Sequence, residues 1–351
     1  MQLERPHLMV LLNALYDLDQ TSISVAHPSD DIGTLLEIRL KDGDTAEIIF
    51  PIDVDEYRDA RDDIRLQYGD TPYNDLPDRS TLVRALTASQ VLEFENQSAI
   101  ESTLGRVCYP AVEAGESPVM LGLDANIFPW GCPDVLDIDH ETGNTDDKDR
   151  RPSNGYALSS GVVDELHWRY SHWDPEPLVE AFGEEFRRLE GQPGGSRREG
   201  RLGLQKYQTL VGTRNVDFVD SEIGDDEIIN GYVRYSKNRR KKPFLLSNDY
   251  GFIETATDEG IAAQHLKFQS MLPGRVTASW DVVANALYYL SLLFGVLILP
   301  KATLYGVWSG KEDASWQKEK IDIDCRGSGS NLQTMLARQR RIAQEFERIA
   351  K

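Results

Sequence analysis

A chain of 351 residues with 40% hydrophobic content has enough apolar material for one large core with additions, or for two. Its formal charge of −20 excludes nucleic-acid binding by bulk attraction, so such a partner has to be met by a local basic patch or through metal ions. Cys108, Cys132 and Cys325 are far apart and form no CxxC pair, which excludes a disulfide framework or a cysteine zinc site as the organising device.

The acid is spread along the whole chain and arginine outnumbers lysine, a pattern that resembles proteins of salt-accumulating halophilic archaea. In molar salt the Debye length is about 3 Å, so such a surface repels itself only weakly. The start, MQLERPHLMVLLNALYDL, places Glu4 and Arg5 before a short apolar run and carries no signal-peptide pattern. With the unpaired cysteines this predicts a cytoplasmic protein.

In chain order, residues 1–106 predict a small α+β accessory domain. Leu8, Leu11, Leu12 and Leu15 mark a helix. TLLEIRLKDG and TAEIIFPID alternate as two strands and meet at Asp42-Gly43, a hairpin signal. Helices follow near 53–66 and 80–94. Nothing here has catalytic spacing, and a protein partner is the expected role of this part.

From 117 to 310 strands and helices alternate, which predicts an α/β domain with a central, mostly parallel sheet flanked by helices. PVMLGLD, NVDFVD and PFLLSND read as strands. GVVDELHWRYSHW, EPLVEAFGEEFRRLEG, DDEIINGYVRYSKNR and TATDEGIAAQHL read as helices. The glycine-rich GQPGGSRREGRLG reads as a mobile loop. Val282–Pro300 has nearly the length of a membrane span, yet it contains Asn285 and Ser291, breaks at Gly295 and lacks clearly asymmetric basic flanks. It predicts a buried helix turning into a strand, and no membrane partner. Residues 311–351 predict a hairpin and a helix, Asn331 to Ala350, striped with Leu332, Met335, Ile342, Phe346 and Ile349. That stripe suits docking within the chain, with a protein partner or a homodimer left open.

Two predicted strands end on an aspartate, Asp124 and Asp249. Singly, such residues end strands and cap the next helix. Together they matter, because ligands of open α/β sheets sit at the carboxyl ends of the strands. Between them Glu165 lies on one helix, and Asp225 and Asp226 open another. Crowded carboxylates repel and take up protons; a divalent cation removes that conflict, and oxygen donors suit Mg²⁺ or Mn²⁺ over zinc.

LDANIF, SSGVVDEL, GDDEII and LLSND, in that order, resemble the PIN-domain nucleases over about Val119 to Ile261. The resemblance implies a PIN-like fold in which Asp124, Glu165, Asp249 and either Asp225 or Asp226 hold Mg²⁺ or Mn²⁺ and carry catalysis. Asn126, Ser247 and Asn248 would support them. It implies an endoribonuclease, with metal-activated water attacking a phosphodiester and no covalent enzyme intermediate. A catalytically weak scaffold and a structure-specific DNA nuclease are the alternatives. The added third of the chain argues for RNA processing, defence or a larger complex over a free-standing toxin. Insertions near 130–154 and 190–204 depart from the family pattern; Pro129, Gly131 and Pro133 discourage the usual helix after Asn126.

Two other features stand out. His167 and His172 flank Trp168, Tyr170 and Trp173 without HxH or HxxxH spacing, and read as core. Arg234, Lys237, Arg239, Arg240, Lys241 and Lys242 form the dense basic run, a candidate strip for a nucleic-acid backbone. Arg197, Arg198, Arg201 and Lys206 could extend it.

Overall fold

The computed structural model describes residues 1–141, 150–166, 174–308, 319–327 and 331–350. The chain forms two compact units and passes between them four times. One is drawn from Met1–Leu92, Tyr170–Arg198 and Ser270–Lys351, the other from Glu93–Arg169 and Glu199–Gln269.

The first stretch supplies β1 (Gln2–Glu4), α1 (Met9–Tyr16), β2 (Ser22–Ala26), β3 (Thr34–Lys41), β4 (Thr45–Ile49), α2 (Val54–Tyr68), α3 (Asp70–Asp75) and α4 (Arg79–Ala88). The second unit then takes α5 (Gln97–Val107), β5 (Val119–Leu123), α6 (Cys132–Val135), β6 (Tyr156–Ser159) and α7 (Ser160–Leu166). After α8 (Glu176–Phe182) the chain enters α9 (Arg197–Thr213), β7 (Val216–Val219), α10 (Asp225–Arg239), β8 (Lys242–Ser247), α11 (Tyr250–Asp258) and β9 (Ala262–His265). The first unit is completed by β10 (Arg275–Ser279), α12 (Trp280–Phe294), β11 (Val296–Ile298), β12 (Ala302–Tyr305), β13 (Lys320–Cys325) and α13 (Asn331–Ala350).

The first unit is built on an eight-stranded antiparallel sheet ordered β1-β13-β12-β11-β2-β3-β4-β10. Its core helix is α12, buried on nearly every side from Val283 to Phe294. Gly295 at φ +77° turns that helix straight into β11. Among the described residues no helix is long and apolar enough to cross a membrane.

This unit corrects the expected division at 106. Strands near both ends of the chain share one sheet, so residues 1–106 are not a module of their own, and β11 and β12 pair there rather than in the parallel sheet. EPLVEAFGEEFRRLEG also belongs to it, broken at Gly183 (φ +102°) into α8 and a 3-10 turn, Glu184–Leu189. The hairpin expected in the tail falls on 309–318, outside the described residues, although β12 and β13 do pair antiparallel. On α13 Leu332 and Leu336 are buried while Ile342 is exposed.

The second unit carries a five-stranded, wholly parallel sheet ordered β7-β6-β5-β8-β9. Every residue of β5 is buried, as expected of a strand covered on both faces. Gly122 in β5 permits the close packing of α10: an added methyl would lie 2.3 Å from Leu245 Cδ2 and 2.9 Å from the Tyr232 ring. Tyr232 fixes α10 from the other end by donating its hydroxyl to the Ala157 carbonyl at 2.8 Å.

Three local expectations give way. The strand β6, Tyr156–Ser159, is not among the strands read from the sequence. The glycine-rich segment opens the seventeen-residue α9, with Arg198 buried against Asp75 at 2.9 Å rather than available to phosphate. The helix expected to run through IAAQHL ends at Asp258; Gly260 at φ +76° turns the chain into β9.

Candidate metal-binding acidic site

Counted along the chain, the strands of the second unit lie in the order third, second, first, fourth, fifth. The order reverses between β5 and β8, and their carboxyl ends open the crevice where such sheets bind ligands. Asp124 follows β5 directly, and Asp249 follows β8 two residues past Ser247. The two ends are stitched together: Asp124 N–H donates to the Leu246 carbonyl at 3.1 Å.

Asp124 is buried, and its Oδ2 accepts from Ser247 Oγ at 2.5 Å and Asn126 Nδ2 at 2.6 Å. Ser247 Oγ in turn accepts from the Asp249 N–H at 2.8 Å. Burial lifts the Asp124 carboxyl above the usual carboxylate range; the Ser247 hydrogen bond opposes this, and the nearby Asp225 and Asp249 charges add to it. Asp249 caps α11, its Oδ1 accepting from Gly251 N–H at 2.7 Å.

Glu165 projects from α7, where the Gly224 N–H favours its ionised form. Partial burial raises its carboxyl, followed by the charges of Asp124 and Asp225. Asp225, in the first turn of α10, is likewise raised by partial burial, then by Asp249 and Asp226. Asp225 therefore is the acid of that pair whose charge bears on Asp124 and Glu165, while Asp226 acts on its neighbour Asp225.

Ser159 and Ser160 of the SSGVVDEL motif, with Ser221, which no motif singled out, set this geometry. Ser160 Oγ donates to the Ser221 carbonyl at 2.8 Å and accepts from Ser221 N–H at 3.0 Å, and the Ser159 and Ser221 hydroxyls meet at 2.6 Å. Gly161 brings α7 so close that an added methyl would lie 2.2 Å from the Glu222 carbonyl oxygen. This clasp brings the β7–α10 turn, which leads into Asp225, onto the start of the Glu165 helix. Its signal in the sequence was VDSEIGDD, a strand end followed by serine and then acids, the same grammar as LLSND.

The other predicted residues separate. Asn248 contributes its carbonyl, which accepts from His265 Nε2–H at 3.2 Å. The basic run lies at the opposite end of the sheet from the acids. Lys242 starts β8 and Ser247 ends it, about 17 Å of strand, while Lys237 and Arg239 occupy the last turn of α10 and Asp225 the first. Lys241 is paired with Asp217 at 2.7 Å and Arg234 donates to the Asp220 carbonyl at 3.2 Å. The run is thus the basic end of a helix and its following strand, not a wall of the acidic crevice. His167 and His172 lie outside the described residues.

Among the described residues no three His, Cys, Asp or Glu side chains stand close enough as placed to hold one metal ion. The chemistry of the donor set nevertheless fits a hard divalent cation. Three carboxyl groups hold their protons more tightly than usual because they are partly buried beside like charge, and the buried Asn126 Oδ1 has no hydrogen-bond partner. A cation with oxygen preference would relieve both.

The fold and site define a parallel α/β unit with carboxylates gathered at its switch point. No family model, no curated protein and no solved structure matches this chain.

Proposed function

We propose that the second unit is a PIN-like, metal-dependent endonuclease that hydrolyses phosphodiester bonds of RNA. What supports this reading is one arrangement: Asp124, Asp225 and Asp249, with Glu165 alongside, lie within one another's electrostatic reach at the carboxyl edge of β5 and β8, beside the unpartnered Asn126 Oδ1. Asp124, Asp225 and Asp249 would hold Mg²⁺ or Mn²⁺, with Glu165 completing the set. When bound, such an ion supplies activated water and stabilises the charge that develops on the phosphoryl group.

The protein's own groups do the positioning. Ser247 and Asn126 fix the Asp124 carboxylate. The acidic surface is compatible with this chemistry where the phosphate is engaged through metal rather than by bulk charge.

The test is cleavage of a labelled RNA pool, beside a DNA pool, in high KCl with Mn²⁺ or EDTA, comparing wild type with Asp124→Asn and Asp249→Asn. Metal-dependent cutting of RNA that disappears in both variants is expected. Absence of cutting by folded wild-type protein on both pools would instead favour a noncatalytic scaffold.

A further inference from the structure

Beside the acids stands an aromatic residue that nothing above uses. Tyr250 follows Asp249 directly and is 66% exposed. Its root is fixed, because it opens α11 and the Asp249 carboxylate caps that helix at Gly251 and Phe252. His265, the last residue of β9, is paired in register with Ser247 and packs against the Tyr250 ring edge to face, with centroids 5.7 Å apart at 85°. His265 is itself held by its Nε2–H bond to the Asn248 carbonyl. The result is a large, solvent-facing ring on a rigid mount, one residue from a candidate metal ligand and at the same carboxyl edge of the sheet.

A solvated aromatic ring costs little by itself, but a braced one at the rim of a polar crevice is what an unstacked base needs. Stacking is indifferent to base identity, because every base has a π-face. An intact duplex keeps its bases stacked on each other and cannot offer one without unstacking. Resting on the nuclease reading, we propose that Tyr250, braced by His265, is the platform on which an unpaired base next to the scissile phosphate stacks.

The experiment is fluorescence anisotropy with Ca²⁺ in place of Mn²⁺, so that the acids are neutralised while cutting is suppressed, using a labelled single-stranded RNA 12-mer and the same sequence as a duplex. Tyr250→Ala should weaken single-strand binding by about 5- to 150-fold, the range of one base–aromatic stack. Tyr250→Phe should bind within about twofold of wild type, and the duplex should not distinguish the variants. Both substitutions are at an exposed position, and their thermal melts report folding. Equal single-strand affinity in wild type and Tyr250→Ala overturns the platform, and if wild type still cuts RNA with Mn²⁺ the nuclease reading stands without it. A wild-type protein that neither binds nor cuts any strand overturns both.

Discussion

The hydroxyl of Ser247 donates to Asp124 Oδ2 at 2.5 Å while accepting the Asp249 N–H at 2.8 Å. One serine thus links the residues that follow two adjacent parallel strands and sets the rotamer of the more buried carboxylate. Partners of metal ligands that act this way are worth about 10- to 100-fold in metal affinity or activity. Ser247→Ala should lose that much in Mn²⁺-dependent cleavage and recover part of it at higher Mn²⁺, while Ser247→Thr, which keeps the hydroxyl, should lose less. A Mn²⁺ titration of the cleavage rate makes the comparison.

Charge crowding gives the metal-free protein a predictable weakness. The Asp124 carboxyl is raised by burial first and by Asp225 and Asp249 after it, so between the ordinary carboxylate range and its own value the folded state binds the proton and the unfolded state does not. Stability then falls as pH rises through that interval, and at neutral pH the ionised form is carried at a cost. Asp124→Asn keeps shape and removes the charge. In EDTA at pH 7 it should melt higher than wild type, by about 2–4 °C if the relief is near 1 kcal/mol. Mn²⁺ should raise the wild-type melting temperature and leave the variant's unchanged.

Three strands of the parallel sheet, β5, β7 and β8, were legible in the sequence, the buried β5 and β8 as short apolar runs that stop at a polar residue; β6 and β9 were not. Asp124 and Asp249 are visible in that way, whereas Glu165 and the Asp225–Asp226 pair lie on helices and stand out only through the order of the motifs. The antiparallel unit was not legible, since β1 pairs with β13 across Gln2 and Asp322, a separation no local pattern encodes. The fate of Arg198 was equally hidden: its glycine-rich surroundings look like a loop, and only the distant Asp75 makes it a buried ion pair. The basic run was visible as a charge cluster, but its place at the far end of β8 depends on strand direction.

That placement makes its own prediction. About 17 Å separates Lys242 from Ser247 along β8, some five nucleotides at about 3.4 Å each. Neutralising Lys237, Arg239 and Arg240 together should leave cleavage of a four-nucleotide RNA within about twofold of wild type. Any loss should appear only on long RNA, together with a shallower salt dependence.

The clasp at Gly161 is a stability test. Gly161→Ala would force a methyl to within 2.2 Å of the Glu222 carbonyl oxygen, which is backbone and cannot rotate away. A cost of about 1–3 kcal/mol is expected in urea denaturation, with cleavage falling as the Glu165 helix and the Asp225 turn are pushed apart. Gly43→Ala, with nothing within 4 Å of the added methyl but φ +80°, controls for backbone strain alone.

In the antiparallel unit His27 is fully buried among Phe182, Phe186 and Phe294. Burial, then the Arg198 charge, lowers its pKa from 6.5 to about 3. Below pH 6.5 the unfolded chain takes the proton and the folded one does not, so this unit should lose stability as pH falls from 6.5 towards 3, by at most about 5 kcal/mol. His27→Gln, which cannot titrate, should flatten that part of the stability-against-pH curve measured by urea denaturation.

The most direct test of the central claim is a crystal soaked in Mn²⁺ and measured at the manganese absorption edge. An anomalous peak between Asp124, Asp225 and Asp249, lost in Asp124→Asn crystals, is the predicted result. Manganese absent from that crevice in crystals of wild-type protein, or bound elsewhere on the chain, would contradict the assignment of these acids to a metal-dependent nuclease.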